Sequence, residues 1–266
     1  MPFTAAHVLA VVPAVHARRA LRLDATCLVI GSMAPDFEYF VRGARVSAFG
    51  HSLAGIAGWG VPATLVLAAL FHGLVKWPIL LAAPPALTGL FARPWHTRWR
   101  AAAVLSAVAS AALGDVTHLV WDSATHADGL IVLHQPALTR VYPVPVLGDM
   151  ALHRILQHTS SLIGLAGVVA YLAVRIHRAP QLDVGARRGP ARIAFAGCIG
   201  AGIAIAAWWA AHAGITDPGT WIVDAISGAL GGTIVASSLV ARPARRYQRR
   251  VESATAAAGV DPQRSG

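Results

Sequence analysis

Charge is scarce in this sequence, at 13% of residues, against the roughly 25% usual in soluble domains. That shortage argues against a soluble globular protein. Lysine is nearly missing: Lys76 is the only one, so the net charge of +10 comes almost entirely from arginine. Cysteine is limited to Cys27 and Cys198, far apart and in apolar context. With no CxxC pair and no disulfide framework, both read as small core residues. There is no nucleophile elbow, P-loop or dinucleotide fingerprint, which excludes the chemistries those motifs carry. No internal repeat is visible. No secretory leader is expected either, since Arg18, Arg19 and Arg22 follow the first apolar run without a small-residue cleavage site.

Apolar sequence is what the chain has in abundance, at 56% of residues with a mean hydropathy of +0.57. Candidate spans, against the roughly 20 residues a bilayer needs, occur at 53–75, 101–121, 160–174, 193–211 and 221–241; the third is short and can extend back toward His158. The run 79–92 is short and holds Pro84 and Pro85, so it reads as a re-entrant hairpin or a segment on the cytoplasmic face. The reading is an all-α fold: a polytopic membrane helix bundle of about five spans with short interfacial N-terminal helices. Thr4 can cap a helix that Pro13 stops, and Asp24 can cap a second that breaks at Pro35. Four regions follow: 1–52, interfacial or re-entrant; 53–176, the membrane core; 177–241, a C-terminal helix pair; and 242–266, a basic, disordered tail.

A pI near 11.1 raises nucleic acid as a partner, but the arginines cluster in short segments between apolar runs, so no nucleic acid is expected. The partner is the lipid bilayer, with the positive-inside bias setting orientation. With the arginine-rich tail inside, segments 76–100, 175–192 and 242–266 carry 15 of the 22 basic residues. Residues 1–52, 122–159 and 212–220 then lie outside. The expected location is the inner (plasma) membrane.

Against this apolar background one helical end is polar. Asp115, His118, Asp122 and His126 fall at i, i+3, i+7 and i+11, sharing a face roughly 80° wide. Carboxylates and imidazoles there are costly to bury unless paired, hydrated or bound to a cation. Three further motifs lie on the same side in the five-span reading: His7; Gly31-Ser32-Met33-Ala34-Pro35-Asp36-Phe37-Glu38; and Gly50-His51-Ser52. Mixed imidazole and carboxylate donors suit Zn²⁺, with Mn²⁺ or Fe²⁺ as alternatives, better than Ca²⁺. The candidate metal ligands are therefore His7, Asp36, His51, His118 and Asp122, with Glu38 and His126 as candidates for proton transfer. Asp115, about one turn deeper, is expected to take the second ring nitrogen of His118. Blander roles stand beside each: a helix-end hydrogen-bonded pair for His118 and Asp122, a cap for Asp36, an interfacial histidine for His51, a solvated one for His7. His134, His153 and His158 read as outer-loop histidines.

His7, the Gly-Ser-x-x-Pro-Asp at 31–36, the His-Ser at 51–52 and the Thr-His-x-x-x-Asp-x-x-Thr-x-x-x-Gly at 117–129 resemble a bacterial multi-pass membrane family labelled domain of unknown function 4184. The ordered motifs are also similar to those of inner-membrane metal-dependent hydrolases, over roughly 1–165. That likeness implies a multi-pass α-helical protein and metal-dependent hydrolysis. Two departures stand out: Glu38 replaces a second Asp after the Pro-Asp, and Ala48-Phe49-Gly50 replaces a His-Arg ahead of the His-Ser. Three functions compete on this sequence. The first is a hydrolase acting on a small-molecule, lipid or phosphoester substrate. The second is a proton- or cation-coupled transporter running through Asp115, His118 and Asp122. The third is a non-catalytic scaffold with a structural metal.

Overall fold

The computed structural model describes residues 4–44, 49–92, 101–146 and 148–257. The chain is nearly all-α. A 3-10 turn, Thr4–His7, leads into α1 (Val8–Leu21), α2 (Ala25–Gly31) and α3 (Ala34–Arg42). The long helix α4 (Leu53–Ala82) follows, then α5 (Pro85–Phe91), α6 (Ala101–Ser123) and α7 (Leu130–His134). After a hairpin of β1 (Val141–Val144) and β2 (Gly148–Ala151) come α8 (Leu152–His177), α9 (Gly189–His212), α10 (Pro218–Leu239) and α11 (Ala241–Ala257). Among the described residues, α4, α6, α8, α9 and α10 are the 5 helices long and apolar enough to cross a membrane. This is a membrane protein.

The chain forms two compact units: Met1–Glu38, Ser47–Ala68 and Arg98–Leu172 make the first, and Tyr39–Val46, Ala69–Thr97 and Ala173–Gly266 the second. In the first, Asp24 caps α2 by accepting from the Cys27 N–H at 2.8 Å, and Ser52 caps α4 by accepting from the Gly55 N–H at 2.9 Å. Glycine sets how closely the helices approach. A Cβ on Gly31 would stand 2.5 Å from the Ala111 carbonyl oxygen, and one on Gly114 would stand 2.6 Å from both the Leu28 oxygen and the Ser32 nitrogen. Helices α2 and α6 thus meet backbone to backbone, the small-residue contact that holds helices together where water does not drive them. On α4 the buried stripe Gly60, Thr64 and Ala68 packs in the same unit; Ala68 joins Cys27 of α2 and Ala111 of α6.

Helix α4 contains two wider turns of π type, Ile56–Gly60 and Phe71–Val75. In the second unit, α9 and α10 cross through glycine as well: a Cβ on Gly202 would lie 2.1 Å from the Gly228 oxygen. There Arg188 donates to the Leu80 carbonyl at 3.2 Å and, more closely, to that of Ala83, capping the C-terminal end of α4.

Several expectations need correction. Pro13 does not stop the first helix; α1 runs through it to Leu21. A proline costs a helix one backbone bond and some steric relief; the turn ahead of it is anchored by the buried Ala6 and Val11, and the helix continues past it. Segment 79–92 is not one hairpin: its first residues finish α4, and Pro85 starts the separate α5. The third span begins at Leu152, well before 160, because polar residues at its start hide helical sequence. The tail from 242 is not disordered over its described part. It forms α11, which buries Ala244, Tyr247 and Val251 on one face; residues 258–266 lie outside the described set. The β-hairpin, with Val141 opposite Ala151 and Val144 opposite Gly148, was not foreseen. Its turn uses positive φ at Val146 (71°) and Gly148 (78°).

With α4 and α6 as the two crossings between them, His51 and Asp122 are expected on one face of the membrane. Phe49→Cys and Asp128→Cys, each in a Cys27→Ala, Cys198→Ala background, should react with an impermeant maleimide from the same side. Labelling from opposite sides would overturn that connection.

Candidate metal centre

Five side chains from four stretches of the first unit converge. His7 comes from the turn before α1, Asp36 from the first turn of α3, His51 from the approach to α4, and His118 and Asp122 from successive turns of α6. His118 Nε2 lies 3.2 Å from Asp122 Oδ2, 3.6 Å from Asp36 Oδ1 and 3.3 Å from His51 Nε2. His51 Nε2 stands 3.3 Å from Asp36 Oδ1 and 3.5 Å from Asp122 Oδ2. His7 Nε2 is 3.5 Å from Asp122 Oδ1, and its ring stacks on that of His118 at 3.8 Å. His7, Asp36 and His118 are almost fully buried, at 1%, 1% and 0% exposure.

These atoms satisfy one another only in part. Asp36 Oδ1, both Asp122 oxygens and both His7 nitrogens are buried with no hydrogen-bond partner of acceptable geometry. Buried polar atoms are paired in the great majority of cases, so orphans that share one centre have a common cause. Donors about 2.0–2.1 Å from a single ion stand roughly 3.0–3.4 Å apart, close to the separations seen here. Two overlapping sets, His7 with His118 and Asp122, and Asp36 with His51 and His118, could each hold a metal ion.

The surrounding bonds hold this arrangement in place. His118 Nδ1 lies 2.8 Å from the Ser32 carbonyl oxygen, which fixes the tautomer and turns Nε2 inward. The Gly31/Gly114 contact brings Ser32 that near. Thr4 Oγ1 donates to Asp36 Oδ2 at 2.6 Å, leaving Oδ1 for the centre. The Trp59 indole N–H donates to the Ala34 carbonyl at 3.0 Å, tying α4 to the start of α3.

Charge follows the same pattern. Burial, then the nearby His118, pulls the His7 imidazole down to about 3, so it is neutral at physiological pH. Burial opposes a charge on His51 too, but the Asp122 and Asp36 carboxylates outweigh it and raise that ring to about 9. Asp36 is held below the usual carboxylate range: burial works against its charge, and the His51 and His118 imidazoles with the Thr4 hydroxyl more than offset it.

The other sequence candidates fall around this cluster. His126 Nδ1 is 3.6 Å from Asp122 Oδ2, and its Nε2 lies 3.5 Å from Gln157 Nε2. Glu38 Oε2 accepts from the Gly50 N–H at 2.7 Å and the Phe49 N–H at 3.2 Å, which pins the approach to His51. Asp115 does not orient His118, since Ser32 takes that nitrogen. Its carboxylate instead lies against α4, where a Cβ on Gly60 would be 1.6 Å from Oδ2, and neither oxygen has a hydrogen-bond partner. The loop reading of the other histidines is corrected: His153 and His158 lie in α8, where His153 is buried with its Nδ1 3.1 Å from the Leu138 carbonyl oxygen, and His134 ends α7. Sequence reasoning missed Ser32, which acts through a backbone carbonyl, and read Thr4 as a cap; both sit within or just beside the quoted motifs.

Glu38→Gln keeps the shape but removes the charge from two amide bonds, and bonds to charged groups contribute about 1.5–3 kcal/mol. Hydrogen exchange at the Phe49 and Gly50 amides should quicken by about tenfold or more, with Val8–Leu21 unchanged. Unaltered exchange at both amides would remove this support role.

No curated protein and no solved structure matches the chain. The family described as Domain of unknown function (DUF4184) matches residues 1–241, most of the sequence and every residue of the cluster. The chain belongs to that family.

Proposed function

We propose that this protein is a plasma-membrane metalloprotein that hydrolyses a lipid or phosphoester at a divalent-metal site. His7, Asp36, His51, His118 and Asp122 would hold the ion, and Zn²⁺ suits three imidazoles and two carboxylates best, ahead of Mn²⁺ or Fe²⁺. The observation that carries this reading is the set of buried, unsatisfied donor atoms gathered at 3.2–3.6 Å on one centre. A bound divalent ion supplies Lewis acidity, polarising a carbonyl or phosphoryl oxygen and acidifying water to a pKa of about 7.

The protein's own groups do the rest. His7, with its low proton affinity, needs no deprotonation to act as a ligand. Ser32 and Thr4 fix the donor atoms that face inward. Solvent reaches the cluster at His51 and His126, whose side chains are 20% and 25% exposed while the other members are closed off. His126 is therefore the group placed to pass protons between solvent and the cluster. We assign Glu38 to holding the His51 loop.

His118→Ala and Asp122→Ala should each strip stoichiometric metal from detergent-purified protein while membrane insertion is retained; metal analysis of the pair gives the answer. Zn, Mn or Fe persisting at wild-type stoichiometry in both variants overturns the assignment. His126→Gln should keep the metal.

One observation favours a second reading, a proton- or cation-coupled transporter: Asp115 lies buried and unpaired one turn below His118, with the unpaired Thr64 hydroxyl also in that unit. In liposomes, Asp115→Asn should abolish coupled proton uptake with metal content intact if transport is the function. Metal retained together with wild-type proton flux excludes that role for Asp115. The third reading, a scaffold with a structural metal, predicts that metal removal unfolds the first unit.

A further inference from the structure

The second unit holds a feature that the metal centre does not use. Helices α9 and α10 enclose a groove of about 560 Å³. Its floor is made by Gly202, Gly228 and Gly232, where the two backbones meet. Trp208 and Trp209 flank one end, both largely exposed at 58% and 63%. The walls are apolar except at Asp224 and Ser227. Asp224 is 8% exposed, and its Oδ2 is buried without a hydrogen-bond partner. No arginine or lysine lines the groove among the described residues. Ser227, the other polar residue there, donates to the Val223 and Phe40 carbonyls at 2.8 and 3.0 Å, so its proton is already committed.

An unpaired carboxylate in an apolar wall is expensive, and a donor from outside the protein would relieve that cost. Depth narrows the choice of donor. Asp224 is six residues into α10 from Pro218, about 9 Å along the axis, and Trp208 and Trp209 are at the matching end of α9. Tryptophans mark the level of lipid headgroups. Below Asp224 the groove continues past Gly228, Gly231 and Val235, apolar throughout.

We infer that this groove binds a membrane lipid with a primary-amine headgroup, its ammonium on Asp224 and an acyl chain along the glycine floor. Charge complementarity and N–H donation both favour an amine. A quaternary ammonium brings the same charge without a hydrogen to donate, and an anionic headgroup is repelled. This site is separate from the proposed hydrolytic centre and stands or falls without it.

The test uses full-length protein purified in detergent and exchanged into equal mixtures of phosphatidylethanolamine, phosphatidylcholine and phosphatidylglycerol, with retained lipid counted by native mass spectrometry. The wild type should retain the ethanolamine lipid over the choline lipid by about tenfold or more, the effect of one charge-assisted hydrogen bond. Asp224→Asn should erase that preference. Gly231→Leu fills open space, since a Cβ there meets nothing within 4 Å, and should lower retained lipid of every class while the protein stays folded. Preference unchanged in Asp224→Asn, or retention unchanged in Gly231→Leu, overturns the proposal. So does a Gly231→Leu variant that loses only self-association, which would make the groove an interface with a second copy.

Discussion

Burying imidazoles and carboxylates at the end of apolar helices is the constraint around which the first unit is organised. Each isolated charge placed there would cost several kcal/mol, and water is largely excluded from His7, Asp36 and His118. Direct pairing offsets part of that cost: His51 leans on two carboxylates and Asp36 on two imidazoles and a hydroxyl. It does not satisfy every atom. Asp36 Oδ1, both Asp122 oxygens and both His7 nitrogens stay without a partner, while His118 Nδ1 is bonded to Ser32 and Asp36 Oδ2 to Thr4. A merely structural ion-pair cluster would gain by turning its donors and acceptors onto one another. Here the separations of 3.2–3.6 Å lie within ion-pair reach and also suit donors around one ion.

That separation depends on how closely α2 approaches α6. Gly31 and Gly114 remove the two side chains that would otherwise hold the helices apart, and the Ser32 carbonyl reaches His118 as a result. Local sequence, helix packing and site chemistry are joined at this contact. Any side chain at Gly114 would press on the Ser32 amide itself, so a packing defect there becomes a defect in the orientation of the imidazole.

Much of this was legible in the sequence. The polar face of α6 could be read from the spacing of Asp115, His118, Asp122 and His126, because a 3.6-residue period decides which residues share a side. The five spans could be read from length and hydropathy. His51 and Asp36 were reachable because proline and a span entrance fixed their local setting. What stayed hidden was tertiary. A backbone carbonyl such as that of Ser32 has no signature in residue type, and Thr4 looks the same whether it caps a helix or bonds Asp36. Helix α11 was missed although Ala244, Tyr247 and Val251 keep helical spacing, since its arginine content resembles that of a solvated tail. Pro13 misled because the penalty for an internal proline is local, and a helix anchored ahead of it continues past it.

The π-type turn at Ile56–Gly60 sets the phase of α4. A turn of this kind amounts to one inserted residue, and one residue in an α-helix is worth about 100° of rotation. Upstream of it lie His51 and the Ser52 cap; at its end lies Gly60, which gives Asp115 its room, and the stripe continues downstream through Thr64 and Ala68. Deleting a single residue from the turn would therefore leave the length and hydropathy of the span almost unchanged. It would also swing that stripe out toward lipid and carry a bulky side chain onto Asp115. The register between the two ends of α4 is thus a variable that hydropathy cannot detect.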